Sequence, residues 1–445
     1  MVAVPFLQQR NNGKGSWTVK NTAAKTHPHK WQLLLLLATV FQVLSALPVV
    51  LAADGVNLTL LGVFAGYIAA EWTYLAVNRL ISKRNTFELE IVAFLLSGIG
   101  MVICAGFSTG FAVKQFIAVL MGLAAHVVIL LLLRDTDTAM RLRVPVAFAA
   151  VGLLGLNLAL ATMVNGTLNW IEVGGFSIQP SELVKIAFVF VGAVTLEKLQ
   201  STKSLTKYLV FSVTCIGALF FMRDFGTALI FFFTFIVIAF MRSGDIRTLF
   251  FISTGALLGA GLVMYFRPYV AVRFATYRRV WENMDTGGYQ QTRVLIYTAS
   301  GGLFGLGIGR GKLREVYAAS TDLVFGVICE EWGLLLGLGI LTAYGLIAVY
   351  AIRASRRASS TYYAIAAVAA AGMMLFQVAL NVFGITDLLP LTGVTLPFIS
   401  RGGTSMICSW ALLAFIKSAG FYRPAGKTAA AARLLPPEAE RPADY

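Results

Sequence analysis

Charged residues are scarce in this chain of 445 residues: they make up 13% of it, whereas hydrophobic residues make up 58%. A soluble domain carries about 25% charged residues, so the composition excludes an ordinary soluble protein. The chain also lacks the alternating ten-residue segments of an outer-membrane barrel. It has instead apolar runs of about twenty residues, the length at which a helix crosses a bilayer. We therefore predict an all-α polytopic integral membrane protein.

Cysteine and histidine are rare too, with four and three residues respectively. Cys104, Cys215, Cys329 and Cys408 all lie within apolar runs, a position that favours buried thiols over a disulfide framework or a zinc site. Two of the three histidines lie in the N-terminal tail. No metal site is therefore predicted.

Basic residues outnumber acidic ones by 36 to 21, which gives a net charge of +15. Most of the excess lies in short loops between apolar runs, where lysine and arginine mark the cytoplasmic side. This distribution argues against a nucleic-acid partner and for a multi-pass protein of the cytoplasmic membrane with both termini in the cytoplasm. The inner short loops then hold fourteen basic residues (Arg79, Lys83, Arg84, Arg134, Arg141, Arg143, Lys198, Lys203, Lys207, Arg242, Arg247, Arg353, Arg356 and Arg357), and the outer ones hold four (Lys114, Lys185, Arg223 and Arg401).

The apolar runs predict about twelve transmembrane helices between two polar tails. Residues 1–30 form a basic cytoplasmic tail, and residues 421–445, rich in Ala, Pro and Arg, form a disordered cytoplasmic tail. The predicted spans are 31–53, 57–78, 89–107, 112–133, 143–164, 183–199, 207–222, 226–241, 248–266, 322–351, 361–384 and 402–419.

One outer connection, residues 267–321, is too long to be a simple connector. It is rich in basic residues, which suits an external surface facing an anionic ligand such as a lipid phosphate. Long loops do not always follow the rule that lysine and arginine mark the cytoplasmic side, so the basic residues of this loop need not indicate a ligand. Its basic residues are Arg267, Arg273, Arg278, Arg279, Arg293, Arg310, Lys312 and Arg314, against Glu282, Asp285 and Glu315.

Polar residues cluster at the outer ends of the predicted spans. Pro180, Ser181 and Glu182 resemble a helix start, and Lys185 lies three residues beyond Glu182 on the same face. In one interpretation, the Glu182 carboxylate only interacts favourably with the dipole of this helix. A charge pair near the hydrocarbon is costly, however, so a functional role is equally open.

Two aspartates, Asp224 and Asp322, stand at the entrances of predicted spans, where either could merely cap a helix. Glu330 and Glu331 follow inside the span that begins at Asp322, so they need partners, protonation or water. The Pro- and Gly-rich residues 389–405 are predicted to be non-helical. Such backbone at membrane depth must line a cavity or be buried in protein.

In these motifs the sequence resembles the SEDS family (shape, elongation, division and sporulation) of RodA-, FtsW- and SpoVE-like proteins. The resemblance covers roughly residues 89–420, a family core of about ten spans, and leaves the two spans of residues 31–88 as an N-terminal addition. The chain departs from the family pattern at Asn169, at Met222-Arg223 and at Arg401. The matching motifs are Gln179 to Lys185, Asp224 to Ala228, Gly288 to Gln290, Thr321 to Phe325 with Glu330 to Gly333, and Pro390 to Ser405.

The resemblance implies a peptidoglycan glycosyltransferase that polymerises lipid II, a disaccharide-peptide on undecaprenyl pyrophosphate, with a class B penicillin-binding transpeptidase as partner. The family's catalytic aspartate matches Asp322, which would act as the base. Lys185, Arg223 and Arg401, together with the arginines of the long outer loop, would stabilise the departing pyrophosphate. A divalent cation is left open, and no other cofactor is predicted. The predicted substrate-binding residues are Trp170, Gln179, Ser181, Glu182, Lys185, Arg223, Asp224, Gln290, Thr321, Glu330, Ser400 and Arg401.

Two other classes of function stay open at the level of sequence. A transporter that flips the same lipid-linked precursor would also use broken helices and intramembrane charges, although no inverted repeat is visible and the polar residues gather at one face. A scaffold that only recruits a transpeptidase would require neither Asp322 nor Glu330. The sequence does not distinguish between roles in elongation, division and sporulation.

The loop charges predict a topology that can be tested directly. Single cysteines placed in loops 198–207 and 353–357 should resist a membrane-impermeant thiol reagent in intact cells, because both loops are cytoplasmic. Cysteines placed in residues 267–321 should react. Labelling of the two short loops with protection of the long one would reverse the orientation.

Overall fold

The structure is a computed structural model that describes residues 30–52, 55–82, 86–164, 167–173, 176–197, 202–244 and 277–421, with a few residues between 247 and 255. The two predicted tails lie almost entirely outside the described residues. The same holds for most of the predicted span 248–266 and for the first part of the predicted outer loop, with Arg267 and Arg273.

Thirteen α-helices make up most of the described part of the chain. The N-terminal half contains α1 (Lys30–Val50), α2 (Leu58–Ser82), α3 (Glu88–Phe107), α4 (Thr109–Leu132), α5 (Thr136–Leu160), α6 (Pro180–Glu197), α7 (Thr202–Phe221) and α8 (Phe225–Ser243). The C-terminal half contains α9 (Tyr289–Ser300), a 3-10 turn (Leu313–Glu315), α10 (Val324–Glu331), α11 (Leu334–Ser355), α12 (Thr361–Ile385) and α13 (Gly403–Phe421).

Among the described residues, eight helices are long and apolar enough to cross a membrane: α1 to α5, α8, α11 and α12. Helices α6, α7 and α13 pack among them and coincide with three further predicted spans. Eleven of the twelve predicted spans therefore correspond to helices, and the twelfth, 248–266, lies mostly outside the described residues. The prediction of a polytopic helical membrane protein is confirmed.

Two span boundaries were wrong. Helix α5 begins at Thr136, seven residues before the predicted start, because the Asp135 carboxylate caps it by accepting the N–H groups of Asp137 and Thr138. The predicted span 322–351 is broken, since α10 ends at Glu331 and α11 begins at Leu334.

The break falls at Gly333, whose φ of +86° is a left-handed conformation that favours glycine. A Cβ at this position would lie 2.2 Å from the Leu303 carbonyl oxygen, so the close approach of the two loops also requires glycine. Glu330 and Glu331 consequently lie on the short helix α10, before the membrane-spanning helix and not within it.

The structure also contains short strands, which the all-α prediction missed. Strands β1 (Leu51–Ala52) and β2 (Gly55–Val56) form a small hairpin between α1 and α2. Strands β3 (Thr162–Val164), β4 (Thr167–Val173) and β5 (Phe176–Ile178) form an antiparallel sheet in that order between α5 and α6. This sheet places β4 beside the start of α6, where the polar residues of the predicted site gather.

Helix α13 packs most extensively against α4, and side chains of α13 also reach α3. Trp410 on α13 is fully buried, and its ring lies 4.8 Å from that of Phe94 and 5.6 Å from that of Phe398. A Cβ at Gly122 on α4 would lie 2.7 Å from the Trp410 ring. Small residues at helix contacts allow this close approach within a bilayer.

Candidate active site

A cavity of about 1170 Å³ lies where several helices begin. Its walls come from the first turns of α4, α6, α8, α9 and α13, from strands β4 and β5, and from the turn before α10. The non-helical residues 390–402 close one side, as predicted for such backbone. Eight of the thirteen predicted site residues line it: Trp170, Gln179, Glu182, Asp224, Gln290, Thr321, Asp322 and Arg401.

Asp322 lies in a turn that is held through its backbone carbonyls. The carbonyl oxygens of residues 320, 321 and 322 accept hydrogen bonds, in that order, from the Arg401 N–H (2.8 Å), the Ser400 hydroxyl (2.6 Å) and the Asn381 side-chain amide (2.8 Å). Asn381 also donates to the Val394 carbonyl at 2.7 Å. The turn is therefore fixed by α12 and by the loop before α13, and the Asp322 side chain is left to face the cavity.

The alternative that Asp322 is only a helix cap is wrong. Leu323 occupies the N-cap position of α10, and no side chain caps that helix. The carboxyl group lies beside Gly393, where a Cβ would stand 3.3 Å from its Oδ2.

The pKa of Asp322, which lies outside the membrane-spanning helices, is raised to about 7. Burial contributes most, because it disfavours the charged form, and the negative charge of Asp224 adds to the effect. A hydrogen bond from Thr321 acts in the opposite direction. A carboxyl group with a pKa near neutrality can accept and release a proton at working pH, as general acid–base chemistry requires.

Asp224 combines a structural contact with a position at the cavity. Its Oδ1 caps α8 by accepting the Thr227 N–H at 3.0 Å, and its Oδ2 accepts the Asn169 side-chain amide at 2.5 Å. The capping role expected of this residue is therefore present. Asn169, on β4, links the small sheet to the start of α8 and also lines the cavity.

Two cationic side chains line the cavity among the described residues, Arg401 and Lys114. The Arg401 guanidinium lies over the Phe111 ring, with 3.9 Å between Cζ and the ring centroid, a cation–π geometry that orients it. Lys114 lies one turn along α4 from Phe111. A negatively charged ligand in the cavity would meet both.

Glu182 and Lys185 form the predicted ion pair, with 2.8 Å between Lys185 Nζ and Glu182 Oε1. Lys185 is 1% exposed and does not line the cavity. Its Nζ also donates to Gln377 Oε1 at 2.9 Å, and Gln377 Nε2 donates to the Thr395 carbonyl at 2.8 Å. This series of hydrogen bonds connects the Glu182 carboxylate, which lines the cavity, to α12 and to the loop before α13.

Five predicted site residues do not line the cavity: Ser181, Lys185, Arg223, Glu330 and Ser400. Ser181 is fully buried in α6, and Arg223 takes a left-handed φ of 62° in the turn before α8. Ser400 acts behind the cavity wall, through its hydrogen bond to the Thr321 carbonyl.

Glu330, predicted to bind substrate, lies away from the cavity lining and has partners within the protein. Its two carboxylate oxygens accept the backbone N–H groups of Lys312 (2.8 Å) and Leu313 (2.9 Å). Glu331 accepts bonds from the Arg314 guanidinium and the Gly309 N–H. Both carboxylates thus fasten the outer loop to α10, which gives these buried acids their partners.

Sequence reasoning missed three side chains that matter at this site. Lys114 lines the cavity, and its only signal was that it is one of four basic residues assigned to the outer side. Gln377 and Asn381 lie one turn apart on α12 and carry no motif of their own. Polar amides inside an otherwise apolar helix were the signal that could have identified them.

Among the described residues, no group of three or more His, Cys, Asp or Glu side chains is arranged to hold a metal ion. The fold and the site together define a class: a polytopic helical membrane protein with a large cavity of mixed polar and apolar lining, which contains a buried aspartate, at one end of its bundle.

The chain belongs to the FtsW/RodA/SpoVE family of cell cycle proteins, whose family model matches residues 85–423. It is 29% identical over 386 residues to the peptidoglycan glycosyltransferase RodA of Mycobacterium leprae, covering 79% of this chain and 82% of that protein. It is 34% identical over 250 residues to the stage V sporulation protein E of Bacillus subtilis, covering 54% and 68%. The predicted resemblance is confirmed.

Two solved structures have a similar fold. One, described as a peptidoglycan synthase complex that coordinates polymerization and crosslinking, is 25% identical, with a TM-score of 0.61, over 74% of this chain and 96% of that one. The other, the rod shape determining protein RodA of Thermus thermophilus, is 24% identical, with a TM-score of 0.58, over 76% and 98%.

The buried ion pair generates a stability prediction. Lys185→Met should lower the free energy of unfolding by about 3–5 kcal/mol, because it leaves the Glu182 carboxylate buried without its cation. Adding Glu182→Gln should recover most of this loss, since no buried charge then remains. Thermal unfolding of the purified protein in detergent measures both effects.

The matched control is Lys207→Met, which removes the same charge from an exposed position on α7 and should change stability by less than about 0.5 kcal/mol. A Lys185→Met protein as stable as the wild type would contradict the structural role of the pair.

Proposed function

We propose that this protein is a peptidoglycan glycosyltransferase that polymerises lipid II into glycan strands. Relatives that it matches over most of their length, from Mycobacterium leprae and other organisms, carry the name peptidoglycan glycosyltransferase. The cavity supports the same activity, because its volume of about 1170 Å³ lies just above the upper end of the roughly 300–1,000 Å³ of small-ligand pockets, as a large substrate requires.

The observation that carries the proposal is the Asp322 carboxyl group, which faces a cavity with two cations and has a pKa raised to about 7. In the proposed reaction, Asp322 removes the proton from the acceptor sugar hydroxyl. The hydroxyl oxygen then forms a bond to the anomeric carbon of the donor sugar. The bond between that carbon and the pyrophosphate oxygen breaks, and the pyrophosphate leaves with the electron pair.

Arg401 and Lys114 are the groups that we propose to stabilise the departing pyrophosphate, in place of the predicted Lys185 and Arg223. Both line the cavity, whereas Lys185 is committed to Glu182 and Gln377. Charge stabilisation of this kind contributes most when the cations are already positioned, and the stacking of Arg401 on Phe111 provides that for one of them.

We further propose that the cavity opens at the outer face of the cytoplasmic membrane and that both termini are cytoplasmic. The excess of basic residues in the other set of loops supports this orientation. The competing function is a flippase for the same lipid-linked precursor. Against it, the polar groups lie at one end of the bundle, where helices begin, and not at the midplane site that transporters use.

The catalytic proposal is tested by Asp322→Asn. The change keeps the shape of the side chain and removes its basicity, and general-base catalysis contributes about 10²–10⁴-fold, so polymerisation of purified lipid II should fall by about that factor. Wild-type activity should rise with pH through about 7, because only the deprotonated carboxylate acts as a base.

Asp137→Asn, at an exposed position in the first turn of α5, is the matched control and should keep full activity. Asp322→Glu should retain little, because the longer side chain displaces the base. A flippase or a scaffold would leave the purified wild type inactive. Near wild-type polymerisation by Asp322→Asn would remove Asp322 from the catalytic role.

The partner that we propose is a class B penicillin-binding transpeptidase. The similar solved structure is a peptidoglycan synthase complex that couples polymerization to crosslinking, which supports a transpeptidase partner for this chain. Affinity purification of the tagged protein from its own membranes should recover a single-span penicillin-binding protein, and adding that protein should raise the polymerisation rate. Full activity alone, with no such protein recovered, would contradict the proposal.

A further inference from the structure

Helices α1 and α2 form a hairpin that the family match does not include. The match begins at residue 85, after both helices have ended. The RodA structure of Thermus thermophilus overlaps over 98% of its own length while covering only 76% of this chain. The family fold is therefore complete without such a hairpin, and the proposed reaction assigns it no task.

The hairpin is fastened to α3 by specific contacts. The Tyr67 hydroxyl on α2 donates to the Phe94 carbonyl at 2.6 Å, and the Gln42 amide on α1 donates to the same oxygen at 3.5 Å. The Trp31 and Phe87 rings meet edge to face at 5.3 Å. Interhelical hydrogen bonds and close packing are what hold helices together in a bilayer, so the hairpin has a defined position.

The same hairpin lies against α4. At the first residue of α4, the Thr109 hydroxyl accepts the Asn57 side-chain amide at 3.0 Å. Further along, Gly66 of α2 meets the Phe116 ring so closely that a Cβ there would lie 3.2 Å from it. The Tyr74 and His126 rings pack edge to face at 6.0 Å. Contacts at three positions along α4 therefore hold α2 against it.

The opposite face of α4 forms a wall of the cavity. Phe111, Lys114, Ala118 and Met121, which share one face at helical spacing, line it. At about 100° per residue, Phe116 lies on the far side of the helix from their common direction. The residue that touches Gly66 is thus directly behind the wall that carries Lys114.

We propose that the α1–α2 hairpin braces α4, and so sets the width of the cavity and its affinity for the lipid-linked substrate. This inference rests on the proposed glycosyltransferase function. The hydrogen bonds of Tyr67 and Gln42 to α3 hold the hairpin in place, whereas the cavity is empty space. A force on the α2 side of α4 is therefore relieved by movement of the helix into the cavity. The contact between Gly66 and Phe116 is the position at which that force can be applied.

The substitution Gly66→Leu applies this force to α4, because the larger side chain overpacks the contact with Phe116. KM for lipid II should rise about tenfold, within the range expected for overpacking a packed contact, while kcat changes by less than about twofold. Phe116→Ala in the same protein removes the ring that the new side chain meets, and should return KM to near the wild-type value. Gly66→Ala should give a smaller change of the same sign.

Gly62→Leu is the matched control, since it adds the same side chain one turn earlier on α2, where a Cβ would meet nothing within 4 Å. It should leave KM unchanged. A general loss of folding would lower kcat and yield, and Phe116→Ala would not reverse it. The split between KM and kcat, together with this rescue, separates bracing from a merely structural role.

A distance measurement tests the brace without lipid II. Spin labels on cysteines placed at Met121 on α4 and Ser177 on β5 report the separation of two cavity walls, and the four native cysteines are buried. Gly66→Leu should shorten that distance and Gly62→Leu should not. Equal distances and equal KM values in Gly66→Leu and the wild type would overturn the brace. A wild type that cannot polymerise lipid II would overturn the proposed function instead, and leave the distance result standing.

Discussion

The structure depends on the hydrogen bonds that the polar groups of its non-helical backbone make. Residues 389–402 and the turn that carries Asp322 break the helical pattern, and backbone of this kind is tolerated at membrane depth only where protein satisfies its polar groups. Here the two segments form hydrogen bonds with each other. The carbonyls of residues 320 and 321 accept bonds from Arg401 and Ser400, and α12 supplies Asn381 for the third. The contacts that make the irregular backbone stable are therefore the same contacts that fix the position of Asp322.

The buried residues Glu330, Lys185 and Lys417 differ from Asp322 in the partners they have. Glu330 accepts two backbone N–H groups, Lys185 contacts Glu182 and Gln377, and Lys417 pairs with Glu90 at 2.8 Å. These groups have the compensation that makes a buried charge tolerable, and they hold segments together. Asp322 instead faces open volume, and burial together with Asp224 raises its pKa to about 7. The difference between these residues and Asp322 lies in their contacts, not in the residue type.

Much of the fold could be predicted from the sequence, because the bilayer imposes a length and a polarity on each span. Eleven of the twelve predicted spans correspond to helices, and the polar motifs correctly brought Glu182, Asp224, Asp322 and Arg401 to one place. Helix α9, which lies within the predicted outer loop, was not predicted. The errors arose where long-range contacts decide. The apolar run through residues 322–351 conceals a break that depends on Gly333 meeting the Leu303 carbonyl. Glu330 seemed unpartnered because its donors, the N–H groups of residues 312 and 313, belong to a distant loop. The polar amide of Asn381 in an apolar helix is a signal that the residue matters, but its partner, the turn of Asp322, lies 59 residues away in the sequence.

The direction of the helices around the cavity adds a further constraint on its chemistry. The first turns of α6, α8, α9 and α13 line it, α4 enters it within two turns of its start, and Asp322 lies two residues before α10. The N-terminal end of a helix carries a partial positive charge, so this arrangement directs several positive ends, together with Arg401 and Lys114, toward one volume. Glu182 and Asp224, in the first turn of α6 and at the cap of α8, offset part of that field. Glu172 on β4 lines the cavity as well, so the walls carry groups of both signs, and Asp322 is the lining carboxyl group whose pKa is raised to about 7. Because all of these helix starts lie at the same end of the bundle, the charged groups of the cavity are brought together there. That geometry suits a transfer reaction at a membrane surface better than passage through the bilayer.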